Sequence, residues 1–452
     1  MNIIIAGSGK VGISLARQLS AEGHNLTMID INRSTLEELG SSLDVMCVQG
    51  NCASLPTLQQ AGIMDADLLI AATNSDELNL LCCTTAHGIN PDIHTIGRIR
   101  NPEYTQQIYT LKDVFALSLS VNPERQAAAE IEQLLRLPGF LHRDTFAKGR
   151  TNIVELRVTA DSKLCDQSLF GLNNIVKCRV LVCAVLRDGQ AMIPSGNFVL
   201  REGDRIFVTA PTANLSTLLR NLGLVSRRAR KVILCGGGRV SYYLAEQLCR
   251  AGVSVTLIEH DAKRCVQLAS MLPDVSVIHG DATHRTTLEE QGLSDCDALV
   301  SLTGIDELNM IISLYGTSIH VPQVITKLGR TQNRSIAASL SLGSVVYPRD
   351  LCSNQIVRYV RAMQNQSGAA VSIHFIADGQ VEAIEFAVDS DTKNCGIPLK
   401  DLKLQPNVLL VSITHGAATS IPNGDSVFQQ GDSIVVVTSG RGQLRRINDI
   451  FA

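Results

Sequence analysis

The amino-acid sequence predicts an α/β fold: two tandem Rossmann-type parallel-sheet domains, each followed by a small α+β C-terminal domain. A glycine-rich loop occurs twice. Gly7-Ser8-Gly9-Lys10-Val11-Gly12 follows the apolar run Ile3-Ile4-Ile5, and Gly236-Gly237-Gly238-Arg239-Val240-Ser241 follows Val232-Ile233-Leu234. An acidic residue comes after each loop, Asp30 and Glu259, and loops and acids alike are 229 positions apart. Residues 50–81 align without a gap to 280–311, with twelve of 32 positions identical where unrelated segments share roughly two. One glycine fingerprint is weak evidence; two in register, each with its own strand, helix and acid, are specific.

Each glycine has its own physical role. The first permits the tight turn out of the strand, the second lets the backbone approach a phosphate, and the third allows close packing of helix on strand. The following helix points unpaired N–H groups and its positive dipole end at the ligand. Asp30 and Glu259 stand where a carboxylate accepts hydrogen bonds from a ribose diol and disfavours a 2′-phosphate. Lys10 and Arg239 head the two helices, either as solvated side chains or as cations answering a bound polyphosphate. Ser241, in place of the third glycine, predicts looser helix packing or a modified second site.

The aligned repeat carries further candidates. Leu68–Ala71 and Ala298–Val300 read as buried fourth strands. Thr73 and Thr303, each with aspartate three residues on, read as capping boxes or as ligand-side loop residues. Asn51 and Asp281 close the third strands, meeting an adenine edge or making turns. Arg98 and Arg330 follow Gly97 and Gly329 at the end of a fifth strand, as phosphate ligands or as surface ion-pair partners.

Each half also has a tail. Strand-like runs at Ile153–Val158, Arg179–Leu186, Met192–Pro194 and Gly203–Val208 correspond to Val371–Ile376, Val408–Ile413, Ser420–Pro422 and Gly431–Val436. The tails end in helices at Leu215–Leu222 and Leu444–Ile450. A helical stretch joins Rossmann unit to tail, with Asn122 as its cap, Pro123 in its first turn and Ile131, Leu134 and Leu135 on an apolar face. Its counterpart after Pro348 carries Ile356, Val357 and Val360. Such a stripe suits a core helix or a hinge or subunit-exchanging helix. The expected segments are 1–140 and 230–366 for the Rossmann domains with connecting helices, and 141–225 and 369–452 for the small domains.

The 452 residues suffice for about three ordinary domains. With 45% hydrophobic residues and a net charge of −3, the chain buries good cores and does not read as a general nucleic-acid binder. Arg227-Arg228-Ala229-Arg230-Lys231 is the basic cluster, a solvated linker or a contact for an acidic partner. No apolar run approaches 18 residues, and a first strand at Asn2 leaves no signal peptide to remove. Thirteen cysteines without CxxC spacing predict neither zinc nor disulfides; Cys47, Cys183 and Cys235 read as buried thiols in a reducing cytoplasm.

Histidines lack a recognisable catalytic spacing, no nucleophile elbow is present, and no Walker lysine follows a long glycine loop. The expectation is therefore binding without chemistry: no catalytic residue and no metal ligand. The alternative is a cytosolic NAD-dependent oxidoreductase with a duplicated Rossmann fold.

The order of modules, the two glycine loops, Asp30, Glu259 and the paired Thr-x-x-Asp-Glu-x-Asn segments resemble the TrkA family, of the regulator-of-potassium-conductance (RCK) type, over essentially the whole chain. That resemblance implies a regulatory subunit of a potassium-uptake system, peripheral on the cytoplasmic face of the inner membrane. It implies NAD(H) and ATP/ADP as ligands and a TrkH- or TrkG-type transmembrane partner. It also implies a homo-oligomer, dimer or tetramer, closing into a gating ring. Family nucleotide-site positions correspond to Gly7, Gly9, Gly12, Asp30, Asn51 and Arg98, and to Gly236, Gly238, Glu259, Asp281 and Arg330. Ser241 departs from the glycine pattern and Asn51 from an expected aspartate.

Overall fold

The computed structural model describes residues 1–136, 139–224, 229–330, 336–337, 340, 342–363, 370–440, 444 and 446–452. It divides into two compact units, Met1–Ala129 with Tyr347–Val360, and Glu130–Val346 with Arg361–Ala452.

The first Rossmann sheet consists of β1 (Asn2–Ala6), β2 (Asn25–Asp30), β3 (Met46–Gln49), β4 (Leu68–Ala71), β5 (His94–Arg98) and β6 (Leu119–Val121), all parallel, in the order β3-β2-β1-β4-β5-β6. Strands covered by helices on both faces must be apolar throughout, and β4, Leu68-Leu69-Ile70-Ala71, is buried at every position. The strand order reverses between β1 and β4, which opens a crevice at their carboxyl ends. The helices are α1 (Lys10–Ala21), α2 (Arg33–Ser42), α3 (Leu55–Gln60), α4 (Asp76–Ile89), α5 (Pro102–Leu111) and α6 (Pro123–Arg136). Val11, Leu15, Ala16 and Leu19 give α1 the one-sided spacing that buries it on the sheet.

Two repeated residues fix this scaffold in both halves. Asp67 accepts from Asn2 N at 2.7 Å and Asp297 from Arg230 N at 2.7 Å, so each carboxylate satisfies the start of its first strand. A Cβ on Gly50 would stand 2.6 Å from Thr57 Oγ1, and one on Gly280 3.0 Å from Thr287 Cγ2.

The first small domain contains β7 (His142–Phe146), β8 (Thr151–Arg157), α7 (Leu172–Val176), β9 (Leu181–Arg187), β10 (Gln190–Met192), β11 (Arg205–Pro211) and α8 (Leu215–Asn221). Its antiparallel sheet runs β10-β9-β11-β8-β7. The second Rossmann unit repeats the first with β12 (Lys231–Cys235), α9 (Arg239–Arg250), β13 (Ser254–Glu259), α10 (Ala262–Met271), β14 (Ser276–His279), α11 (Arg285–Glu290), β15 (Ala298–Ser301), α12 (Asp306–Ser318), β16 (Gln323–Lys327) and β17 (Ser344–Val346), in the order β14-β13-β12-β15-β16-β17. Then come α13 (Pro348–Met363) and the second small domain: β18 (Ala370–Ile376), β19 (Val381–Ala387), β20 (Val408–His415), β21 (Ala418–Ser420) and β22 (Ser433–Thr438), ordered β18-β19-β22-β20-β21.

These sheet orders correct the matching of the tails. The equivalent of β8 is β19, and that of β7 is β18, so Ile153–Val158 does not correspond to Val371–Ile376. The expected closing helix at Leu444–Ile450 is a single 3-10 turn, Ile447–Ile450, with residues 441–443 and 445 outside the described set. The two small domains share one core, in which Phe146, Ile153 and Phe207 pack with Ile376, Val381 and Val435. Arg205 bridges them further, with Nε on Glu155 Oε1 and Nη1 on both Asp378 oxygens at 3.0 and 2.9 Å.

The connecting helix is divided. Asn122 caps α6 through Arg125 N at 2.9 Å, as expected. Pro123–Ala129 belongs with the first unit, whereas Glu130–Arg136 belongs with the second, where Gln323 Nε2 donates to Leu134 O at 2.8 Å. Tyr347 and the Pro348–Val360 part of α13 belong to the first unit; there Ser353 Oγ donates to Ser14 Oγ at 3.3 Å and Tyr359 OH lies 3.0 Å from His94 Nδ1. Arg230 and Lys231 are exposed, while Arg227 and Arg228 lie outside the described residues. All thirteen cysteines are free thiols. Cys183 and Cys235 are buried, and burial pushes the Cys183 thiol up to about 12. Cys47 is exposed, contrary to expectation, because β3 is an edge strand.

Candidate functional site

Both glycine loops leave their strand through a left-handed turn, Gly7 and Gly236 each at φ +105°. A Cβ on Gly7 would stand 2.9 Å from Ala72 O, and one on Gly236 3.0 Å from Thr303 N. Gly9 and Gly238 are the N-caps of α1 and α9, and a Cβ on either meets nothing within 4 Å. This second glycine therefore faces open space beside the exposed N–H groups of a helix start, the geometry an anion requires. Lys10 and Arg239 are the exposed first residues of these helices, and Val11 is buried beneath the first.

The third position separates the copies. A Cβ on Gly12 would run into the Gly7 carbonyl oxygen. Ser241, fully buried, instead donates its hydroxyl to Gly236 O at 2.5 Å. The close approach is thus converted into a hydrogen bond, a modification of the second loop and one of the two outcomes the serine predicts, rather than looser packing, the other.

The acids close the loops. Asp30 Oδ2 accepts from Ser8 N at 2.6 Å and Ser8 Oγ at 2.7 Å, and Oδ1 accepts from Asn32 N at 2.8 Å. Burial pushes the Asp30 carboxyl up, but these bonds outweigh it and hold the group below its ordinary value. Glu259 reaches the equivalent place, with Oε2 accepting from Gly237 N at 2.5 Å and Oε1 from Asp261 N at 2.8 Å.

The Thr-x-x-Asp-Glu-x-Asn repeats form a brace, not capping boxes. The N-cap of α4 is Ser75, whose hydroxyl accepts from Leu78 N, and that of α12 is Ile305. Thr73 N and Oγ1 donate to Asn79 Oδ1 at 2.8 and 2.7 Å, while Asn79 Nδ2 donates to Arg98 O at 2.8 Å. Thr303, Asn309 and Lys327 O repeat the arrangement at 2.8, 2.8 and 2.9 Å. Asp76 Oδ2 accepts from Arg100 N and Asn101 N, as Asp306 accepts from Gly329 N and Arg330 N. The brace locks the carboxyl ends of the fourth and fifth strands together at the rim of the crevice. Sequence marked its threonines, but the asparagines six residues on, both 0% exposed, organise it.

The arginines are not a pair. Arg98 is buried and its guanidinium donates to Thr73 O at 2.5 Å; its counterpart is Lys327, whose Nζ donates to Leu302 O at 3.0 Å. Arg330 is exposed and lies 3.1 Å from Glu307 Oε1. Asn51 Oδ1 accepts from Ala53 N, and Asp281 Oδ1 from Thr283 N and Oγ1, so both shape turns at the crevice rim. Among the described residues no His, Cys, Asp and Glu group is arranged to hold a metal ion.

The loops, acids and braces define a duplicated Rossmann-type protein with two crevices of dinucleotide geometry, each unit followed by a small β-rich domain. The TrkA-N domain matches residues 3–116 and 232–348, and the TrkA-C domain matches 153–223 and 383–451. The chain belongs to the TrkA family. It is similar to the Trk system potassium uptake protein TrkA of Halomonas elongata, 29% identical over the whole chain and 98% of that protein. It is also similar to the TrkA homolog of Archaeoglobus fulgidus, 30% identical with both chains fully covered. In fold it is similar to the crystal structure of the GsuK RCK domain, with a TM-score of 0.61 at 17% identity, covering 96% of this chain and 92% of that one. The GsuK channel bound to NAD gives a TM-score of 0.60 at 17% identity, over 97% of this chain and 76% of that one. Among the described residues no helix is long and apolar enough to cross a membrane.

Proposed function

We propose that this chain is a nucleotide-sensing regulatory subunit that gates a membrane potassium-uptake channel, binding NAD(H) and ATP/ADP in its Rossmann crevices without catalysing a reaction. The observation that carries the reading is the pair of open second glycines, Gly9 and Gly238, each at a helix start beside an acid-locked loop. The relatives' description as potassium-uptake proteins supports the transport role, and the GsuK structure with NAD supports the ligand class. The candidate contacts are Gly7 to Gly12, Asp30, Asn51, Thr73 and Arg98 in the first half, and Gly236, Gly238, Arg239, Glu259, Asp281, Thr303 and Arg330 in the second. The partner is a TrkH- or TrkG-type membrane subunit, and several chains form a ring on the cytoplasmic face of the membrane.

A ligand gates such a ring only by binding two ring states with different affinity. Coupling of about 1–3 kcal/mol changes channel opening roughly 5–150-fold. Calorimetric titration of the purified chain with ATP, ADP, NAD⁺ and NADH, beside Asp30→Ala and Glu259→Ala, tests the reading. Binding without turnover, weakened by one or both changes, supports it. Steady oxidation of NADH with a small substrate, or no binding at all, rejects it.

A further inference from the structure

The two crevices share a backbone and differ in charge. In the second, Glu259 accepts from Gly237 N on Oε2 and from Asp261 N on Oε1, which also lies 2.7 Å from His260 Nδ1, much as Asp30 is held by Ser8 and Asn32 in the first. Glu259 is 7% exposed, whereas Asp30 is only partly buried. Arg264, on the first turn of α10, donates Nε to Gly237 O at 2.9 Å. The guanidinium and the acid therefore meet the same loop residue from its two sides.

Three histidines complete the rim. His260 follows Glu259, His279 Nε2 lies 3.0 Å from His260 O, and His284 Nε2 lies 3.6 Å from Asp281 Oδ2. The neighbouring acids are engaged locally, Asp261 capping α10 through Arg264 N and Asp281 holding Thr283. At the equivalent places in the first half stand Ile31, Thr35, Gln49 and Ser54, none of which ionises.

We propose that the second crevice takes a nucleotide whose adenosine ribose carries a phosphate, of the NADP(H) class, while the first takes the bare diol of NAD(H). The proposal rests on the reading of both crevices as nucleotide sites. A carboxylate at the end of the second strand repels a ribose phosphate, and an arginine near it accommodates one. N–H donors engage both acids, but the Thr35 position beside Asp30 carries no arginine, whereas Arg264 stands beside Glu259.

The test is fluorescence titration of the full chain with NADPH and with NADH. Arg264→Ala, and the milder Arg264→Lys and His260→Gln, are expected to weaken NADPH binding, Arg264→Ala by roughly 10–100-fold, the loss of a charge-assisted phosphate contact. NADH binding stays unchanged in these variants and is lost in Gly9→Val. NADPH failing to bind while NADH binds overturns the proposal and leaves the nucleotide reading standing. So does NADPH affinity indifferent to all three rim substitutions, or an equal loss of both ligands in each. Binding of neither dinucleotide overturns the nucleotide reading itself.

Discussion

Asp144 Oδ1 on β7 accepts a hydrogen bond from His374 Nδ1 on β18 at 2.7 Å, joining the two small domains through residues 9% and 8% exposed. His142 Nε2 lies 3.2 Å from the same oxygen. Burial disfavours the charged form of His142, but Asp144, with Glu130 and Glu155, outweighs it and raises the imidazole to about 10. Burial likewise opposes ionised Asp144, and the two histidines overcome it, holding the carboxyl well below its usual range. A histidine raised in this way gives its full stabilisation below about 6.5, the ordinary imidazole value, and loses it as pH rises through about 10. The melting temperature should fall across that window in the wild-type chain and fall less steeply in His142→Gln; equal slopes would remove the linkage. Asp144→Asn should cost about 1–3 kcal/mol, since it leaves the half-buried His142 imidazole without its carboxylate partner.

Ser241 and Gly12 test how the third loop position is built. Ser241→Ala removes the hydroxyl that satisfies Gly236 O and should cost about 1 kcal/mol in urea denaturation. In the first loop Gly12→Ser should cost less than Gly12→Ala, because only serine can answer the Gly7 carbonyl that its Cβ meets. The reverse order would show that the fit there is set by volume alone.

What the sequence made legible follows from the range of the interactions. The loops, acids and Rossmann strands were readable because their determinants lie within a few residues, as Gly7 to Gly12 do, or recur in a copy. β7, His142-Arg143-Asp144-Thr145-Phe146, was not, because its polar residues are balanced by His374, 230 positions away. Without β7 the tails were matched one strand out of step. The local spacing at Thr73 fits a cap as well as a ligand-side loop; the bond to Asn79 wins over the cap because it also satisfies Thr73 N and Arg98 O within a buried site. Arg98 and Arg330 each follow a glycine, yet only hydrogen bonds to Asp76 and Asp306 set the register that separates them.

The braces make Asn79 and Asn309 stability residues. Alanine at either leaves a strand-end carbonyl and a threonine N–H without partners, at about 1–3 kcal/mol. Asn51→Ala, which loses one exposed turn contact, should stay within about 0.5 kcal/mol. Urea midpoints of the three variants check the ranking, and a large effect at Asn51 would contradict it.

Gly9 and Gly238 separate folding from binding most cleanly. Their φ values of −71° and −70° suit any residue, and their Cβ positions are open. Gly9→Val and Gly238→Val should therefore leave ligand-free stability within about 1 kcal/mol of wild type. A branched side chain at either place stands where a phosphate would approach the helix start. A nucleotide at 100 times its Kd stabilises the wild-type chain by about 2.7 kcal/mol per site, and each valine should abolish that gain at its own crevice. Gly7→Ala, at φ +105° with Ala72 O 2.9 Å away, should instead destabilise the fold before any ligand is added. Nucleotide-induced shifts that survive in the double valine variant would mean that the ligand binds elsewhere, and that the loops serve only to pack helix against strand.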